Sequence, residues 1–209
     1  SMPQWIVDRF VAAYGEKKAE EIFKAFHSKS TISIRTNLTR CTPDELRAML
    51  EAEGVTVTAV DELNYAFVIS GFDYLNGLQS FRDGLFYVQD IVAQTAAPKK
   101  GDYVIDVCAA PGGKSTHIAE LLQGSGHVLA RDLTDNKVDM IEENIERHGL
   151  NNMSAEVWDA TVPDVDSAGK ADILICDLPC SGLGVLGRKK DIRYKMTPES
   201  VDELAALQR

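Results

Sequence analysis

The sequence predicts an α/β protein, a doubly wound parallel sheet preceded by a small α+β module, on three observations. Residues 103–107 (Tyr-Val-Ile-Asp-Val) form a short apolar run, as in a strand buried on both faces. After it, apolar strand patterns at 127–130, 155–157 and 173–176 are interspersed with helical patterns at 114–122 and about 135–148. That alternation builds a parallel sheet with covering helices. Before residue 86 the order differs, with helical patterns first and short alternating segments after them, as in a separate α+β unit.

Each element has a local reason. Trp5, Ile6 and Phe10 begin an amphipathic helix, and Ala19, Ile22, Phe23 and Phe26 repeat the i, i+3, i+4, i+7 spacing, so a helical pair is predicted. Residues 31–35 alternate like a half-buried strand. Thr42-Pro43-Asp44-Glu45 opens a helix, with Thr42 as N-cap, Pro in the first turn and Glu45 returning as a capping box. Residues 55–60 and 65–69 predict two more strands. A helix is expected over 88–97, ended by Pro98 and the turn at 99–102. The helix at 135–148 sets Val138, Ile141 and Ile145 on one face and stops at Gly149, a favourable residue just past a helix end.

Composition bounds the function. The 209 residues carry a net charge of −10, with 44% hydrophobic and 26% charged residues, which suits a folded globular chain rather than a disordered one. No apolar run approaches the roughly 20 residues of a membrane span, and the N-terminus does not read as a signal peptide. Cys41, Cys108, Cys176 and Cys180 lack metal-site spacing, so reduced thiols, no metal centre and a cytoplasmic setting are expected. The acidic total excludes a uniformly basic surface but not a local nucleic-acid site.

The chemistry is concentrated where predicted strands end. Asp106-Val-Cys108-Ala109-Ala110-Pro111-Gly112-Gly113-Lys114-Ser115 joins the first core strand to the next helix, in the crevice where open α/β sheets bind nucleotides. Its small residues let a ligand lie on the backbone, and the helix start offers unpaired N–H groups. A P-loop needs Gly where Cys108 stands, and the Gly-x-Gly-x-x-Gly dinucleotide fingerprint is absent. Asp132 sits at the second strand tip, placed to accept ribose hydroxyls; its bland alternative is a helix-start aspartate. Asp159 follows the third strand, where a carboxylate meets an adenine amino group. Three such tips on one sheet edge point to an adenosine ligand without phosphate, namely S-adenosylmethionine.

Cys176-Asp177-Leu178-Pro179-Cys180-Ser181-Gly182 ends the fourth strand. A Pro-Cys thiol beside a methyl donor suits pyrimidine C5 chemistry, because a thiolate adding to C6 makes C5 nucleophilic. On chemistry alone Cys180 is the first candidate for that attack, against a buried cysteine capping a strand; Cys176 is assigned to the core. Residues 187–195 then hold Arg188, Lys189, Lys190, Arg193 and Lys195 with a single Asp191, a basic run suited to RNA phosphates or a solvated loop.

Together these segments resemble the Nop/Sun family of RNA cytosine-C5 methyltransferases. The resemblance rests on Asp106–Lys114, on Asp177-Leu-Pro-Cys-Ser-Gly182, on Phe86-Tyr-Val-Gln-Asp90 and on Lys190-Asp-Ile-Arg-Tyr194. Trp5-Ile-Val-Asp-Arg9, Tyr14-Gly-Glu16 and Ile34-Arg-Thr-Asn37 are similar to the bacterial 16S ribosomal-RNA branch. The resemblance implies a Rossmann-like, S-adenosylmethionine-dependent fold. It also implies that Cys108, Ala109, Ala110, Pro111, Gly112, Gly113, Lys114, Asp132, Asp159 and Asp177 line the cofactor site. Ribosomal RNA is the implied partner, met by Arg188, Lys189, Lys190 and Arg193.

The resemblance also changes a role. In the family the attacking thiol lies in a later Thr-Cys motif and the Pro-Cys thiol helps release product, so Cys180 becomes auxiliary. No Thr-Cys pair occurs here, and Leu178 replaces the family's usual Ala. The apolar helix pattern from Thr197-Pro198 reaches Arg209 without Gly, Pro or a C-cap, and no later strand covers 173–176. The expectation is a fragment with a C-terminally incomplete sheet. An N-terminal α+β module occupies 1–85, as a candidate RNA-binding element, and the cofactor-binding half of the core occupies 86–209. A self-sufficient enzyme using Cys180 and a non-catalytic RNA-binding module stand as alternatives.

Overall fold

A computed structural model describes residues 2–27, 31–61, 63–89 and 98–209. By internal contacts the chain forms two compact units, Thr31–Asp177 and a second that combines Ser1–Ser30 with Leu178–Arg209. Each has its own sequence logic.

The larger unit holds two four-stranded sheets. The first is antiparallel, with β1 (Ile32–Thr36), β2 (Thr56–Val60), β3 (Leu63–Ser70) and β4 (Phe86–Val88) in the order β2-β3-β1-β4. Ile34 lies opposite Phe67 on one side and Val88 on the other. Helix α3 (Pro43–Ala52) starts at the expected capping box: Thr42 accepts from the Glu45 N–H, and Glu45 returns a bond to the Thr42 N–H. Its Leu46 and Leu50 complete a core with Ile34, Phe67, Ile69 and Phe86. The short α4 spans Gln79–Arg82.

Three findings depart from expectation here. β1 is buried on both faces from Ser33 onward rather than half-buried, because its polar side meets the rest of the unit. Phe86–Val88 adds a fourth strand to this sheet. The helix expected over 88–97 therefore begins on a strand residue, and its residues 90–97 lie outside the described ones.

The second sheet is wholly parallel, with β5 (Tyr103–Asp106), β6 (His127–Asp132), β7 (Met153–Val157) and β8 (Ile173–Ile175) in the order β7-β6-β5-β8. Helices α5 (Gly113–Leu121) and α6 (Asp135–His148) pack Ile118, Ala119 and Ile141 onto Val104, Val128 and Ala130. This is the predicted alternation of parallel strands and covering helices, both helices packing into one core among the described residues, with Gly149 in the left-handed region closing α6. Gly126 is required for the entry to β6, since a Cβ there would lie 2.2 Å from the Asp102 carbonyl oxygen. β8 lies at the sheet edge, as expected, but Leu174 is 59% exposed. Cys176 corrects a core assignment: the strand stops at Ile175 and the thiol is exposed. None of the helices among the described residues is long and apolar enough to cross a membrane.

The two sheets of this unit meet through a buried charge. Arg35, on β1, has no exposed surface and pairs with Glu120 of α5. Its Nε donates to Gln89 Oε1 at 2.7 Å, Nη2 reaches Thr116 Oγ1 at 3.4 Å, and the guanidinium lies 3.9 Å from the Tyr87 ring centroid. Burial pushes the Glu120 carboxyl up from its usual range, against the pull of Arg35. Beside this cluster Asn37 Nδ2 donates to the Gly84 carbonyl at 2.8 Å, and the buried His148 ring stacks on Tyr87 at 3.6 Å.

In the second unit, α1 (Gln4–Tyr14) and α2 (Glu16–Ala25) form the predicted helical pair, with Phe10 against Phe23 and Phe26. Helix α7 (Ile192–Lys195) lies within the basic run and α8 (Pro198–Leu207) follows it; Thr197 caps α8 by accepting from the Ser200 N–H at 3.2 Å.

The Arg35 cluster yields a stability prediction. Arg35→Met leaves Glu120 as a buried unpaired charge and costs about 3–5 kcal/mol, whereas Arg35→Met with Glu120→Leu recovers most of that loss. Urea unfolding of the two variants measures this. Equal losses in both would show that the ion pair is not what joins these sheets.

Candidate active site

The candidate site begins at the end of β5. Asp106 is buried, and Ser115 Oγ in the first turn of α5 donates to its Oδ2 at 2.6 Å. This bond ties the start of the helix to the end of the strand and folds the intervening loop into a tight arch. Burial raises the Asp106 carboxyl above its usual range, opposed by the Ser115 and Cys108 bonds and by Lys114. The arch rests on the tip of β6: the Ala109 N–H donates to the Arg131 carbonyl at 2.9 Å and the Ala110 N–H to Asp132 Oδ2 at 3.0 Å. From α6, Asn144 Nδ2 donates to the Pro111 carbonyl at 2.8 Å.

Gly112 is the N-cap of α5 at φ 101°, left-handed backbone that disfavours any side chain, and no side chain caps this helix. The N–H groups of Gly113, Lys114 and Ser115 therefore have no partner within the helix. The Cys108 thiol is pushed up by burial, then by Asp132 and Asp106.

Asp132 is the last residue of β6 and is buried. Its Oδ1 accepts from the Leu133 N–H and from Lys137 Nζ, both at 2.8 Å. Burial raises its carboxyl, but the bonds from Lys137, Leu133 and Ala110 outweigh that and hold it below the usual range. At the tip of β7, Trp158 N–H donates to the Asp132 carbonyl at 2.9 Å. Exposed Asp159 accepts from the Thr161 N–H and hydroxyl, at 2.9 and 2.7 Å, through Oδ1, and these bonds lower its carboxyl. Among the described residues no donor meets its Oδ2. At the tip of β8, Asp177 pairs with Lys114. Thus the loop, Asp132, Asp159 and Asp177 all occupy the carboxyl edge of one parallel sheet.

The remaining predicted residues lie in the other compact unit. Cys180 is exposed, and the neighbouring Pro179 carbonyl accepts from Gln208 Nε2 at 2.6 Å. The basic run leaves a short 3-10 turn (Leu183–Val185); Leu186 is buried, and a Cβ on Gly187 would come within 3.0 Å of Phe26 Cα. Arg188, Lys189 and Lys190 are exposed, while half-buried Arg193 donates from Nε to the Lys190 carbonyl at 2.9 Å. Its guanidinium lies 5.3 Å from the ring centroid of Tyr194, which is 71% exposed.

Comparison with known proteins assigns the family. Residues 93–209 match the family described as 16S rRNA methyltransferase RsmB/F, and residues 2–72 match its ferredoxin-like domain. The chain belongs to the RsmB/F family. A Bacillus subtilis relative named probable ribosomal RNA small subunit methyltransferase B is 36% identical over 100% of this chain and 47% of its own length. The Proteus mirabilis ribosomal RNA small subunit methyltransferase B is 31% identical over 99% of this chain and 50% of its own length. The chain thus spans about half the length of the curated relatives it matches. Among solved structures, PH0851 is 28% identical with a TM-score of 0.92, covering 99% of this chain and 48% of that one. NSun6 from Pyrococcus horikoshii with SFG is 21% identical with a TM-score of 0.85, covering 99% and 77%, and shows the same fold. The predicted Rossmann-like methyltransferase architecture is therefore correct.

Sequence reasoning missed one residue at this edge, Lys137, which touches the Asp132 carboxylate. A signal was present: a lysine in the first turn of α6 opposes the positive end of the helix dipole unless a carboxylate faces it. The depressed Asp132 carboxyl sets a pH dependence. Its contribution to stability is fully present above the usual aspartate range and is lost as pH falls through the lowered folded value. Urea titrations should therefore find wild type more stable than Asp132→Asn at about pH 7, with the gap closing toward about pH 3. A gap independent of pH would contradict the assignment.

Proposed function

We propose that this chain carries the S-adenosylmethionine-binding half of a 16S ribosomal-RNA cytosine-C5 methyltransferase. The observation that carries this reading is the Asp132 carboxylate, ordered by Ala110, Leu133 and Lys137 beside an arch of small residues. The donor set fits a nucleoside without phosphate. From Cys108 to Gly113 no side chain exceeds Cys or Pro in size, so a ligand can lie on the backbone.

On this reading Asp132 accepts the ribose hydroxyls and Asp159 accepts the adenine amino group at Oδ2. Cys108, Ala109, Ala110, Pro111, Gly112 and Gly113 form the floor, and the Lys114–Asp177 pair lines one side. When bound, S-adenosylmethionine supplies an electrophilic methyl group, for which the proposed acceptor is C5 of a cytosine. Cys180 is the auxiliary thiol that assists release of the methylated base. Arg188, Lys189, Lys190 and Arg193 meet RNA phosphates, with Tyr194 exposed for stacking on a base. We assign the RNA-facing module to residues 1–85 and the methyltransferase core to 86–209, with β4 lent to the module's sheet; the setting is the cytoplasm.

Support comes from the 16S rRNA description of the matched family, from relatives named for the ribosomal RNA small subunit, and from SFG in the NSun6 structure. These 209 residues contain no Thr-Cys pair, so the attack on C6 is not assigned to them. Calorimetry with S-adenosylhomocysteine tests the cofactor half. The folded chain should bind it, and Asp132→Ala should weaken binding by about tenfold to a hundredfold, the loss of one charged hydrogen-bond acceptor. Absence of binding at millimolar ligand would remove the cofactor assignment. RNA containing 5-fluorocytosine should form no covalent adduct with this chain; an adduct abolished by Cys180→Ala would instead make Cys180 the attacking thiol.

A further inference from the structure

The segment between β7 and β8, residues 158–172, contains neither helix nor strand, yet it carries Asp159. Its ends are tied to the sheet by backbone: Trp158 N–H to the Asp132 carbonyl at 2.9 Å, and Asp172 N–H to the Tyr103 carbonyl at 2.8 Å. Its middle stands off the sheet, over a cleft of about 390 Å³ lined by Ile105, Val107, Leu174, Trp158, Val162 and Pro163. Apolar packing therefore does not seat the middle of this loop.

Among the described residues, the polar links from residues 160–170 to the sheet run through one side chain. Arg131, on β6 directly before Asp132, is 7% exposed at its side chain. Its Nη2 donates to Asp164 Oδ2 at 2.7 Å and to Ser167 Oγ at 3.3 Å, while Nε donates to Glu156 Oε1 on β7 at 2.6 Å. The guanidinium lies 4.8 Å from the Trp158 ring centroid. The loop is internally braced where Arg131 grips it: Asp164 Oδ1 accepts from the Asp166 and Ser167 N–H groups, at 3.0 and 3.1 Å, and Trp158 Nε1 donates to the Val162 carbonyl at 3.2 Å. Asp164 is correspondingly held down to about 2 by Ser167 and Arg131.

We propose that Arg131 is a positioning residue for the adenine end of the cofactor site, holding the 158–167 loop so that Asp159 stands at the tip of β7. The proposal rests on the S-adenosylmethionine reading above. The planar fork is essential to it: one guanidinium engages Glu156 and Asp164 together, which an ammonium group does not reproduce. Arg131 touches no part of the ligand in this assignment, so its effect passes through Asp159.

The test compares S-adenosylhomocysteine with S-inosylhomocysteine, in which a carbonyl replaces the adenine amino group, by calorimetry on the 209-residue chain. The unchanged protein should prefer the adenine ligand by about tenfold, the value of a charge-assisted hydrogen bond. In Arg131→Met that preference should fall to about unity, and Arg131→Lys should restore it only in part. Asp164→Asn breaks the same grip from the loop side without altering β6, and should reduce the preference even if Arg131→Met fails to fold. A purely structural role would lower the melting temperature and leave the ratio of affinities intact, and an unchanged ratio in the folded variants overturns the proposal. Equal affinities in the unchanged protein would overturn the adenine role of Asp159, and the proposal with it. Failure of the folded protein to bind either ligand would overturn the cofactor reading itself.

Discussion

A guanidinium without access to water is the constraint on which much of the larger unit depends. Burying Arg35 is unfavourable unless each of its donors finds a partner, and those partners come from two distant parts of the sequence. Gln89 follows β4, Tyr87 lies within it, and Thr116 and Glu120 lie on α5. Satisfying the charge therefore sets the antiparallel sheet against α5 in one arrangement. The same helix is fixed at its start by the Ser115–Asp106 bond. The arch from Val107 to Gly112 ends on a helix held at two heights, so its backbone is ordered without any cap of its own.

Parallel strands then do what antiparallel ones cannot, bringing every strand end of the second sheet to one edge. Asp106, Asp132, Asp159 and Asp177 gather there because each follows or ends a strand of that sheet. Four carboxylates at one edge would repel one another, and the structure answers with local cations and hydrogen bonds. Lys137 meets Asp132, Lys114 meets Asp177, and Ser115 satisfies the buried Asp106, while the exposed Asp159 bonds to Thr161. The most buried of the four, Asp106, is the one pushed toward its neutral form, as expected where desolvation outweighs the nearby positive charge.

Most of the fold was legible because its signals are local. The capping box at Thr42–Glu45, the apolar stripe of α6 ended by Gly149, and the short apolar runs of the parallel strands each announce themselves within a few residues. The strand Phe86–Val88 was not legible, since three residues carry no periodicity and only the pairing with β1 makes them a strand. Cys176 misled for a different reason: the apolar run reads as continuing through it, but β8 stops at Ile175 and the thiol beyond it is exposed. The candidate loop and strand-tip carboxylates were readable from position in the alternating pattern. Arg35 with Glu120, 85 residues away, and Arg131 with Asp164, 33 residues away, were not, because pairs distant in sequence leave no local spacing to detect.

The net charge of −10 looks ill suited to a ribosomal-RNA partner until the charges are sorted by place. Asp106, Asp132, Asp159 and Asp177 gather at the strand-tip edge, whereas Arg188, Lys189, Lys190 and Arg193 belong to the other compact unit. On the proposed reading each sign suits its ligand: carboxylates attract the positive sulfonium of S-adenosylmethionine, and the basic run attracts RNA phosphate. Binding of RNA through the basic run should then weaken steeply with salt, while the cofactor, held by hydrogen bonds to one small edge, should be far less sensitive.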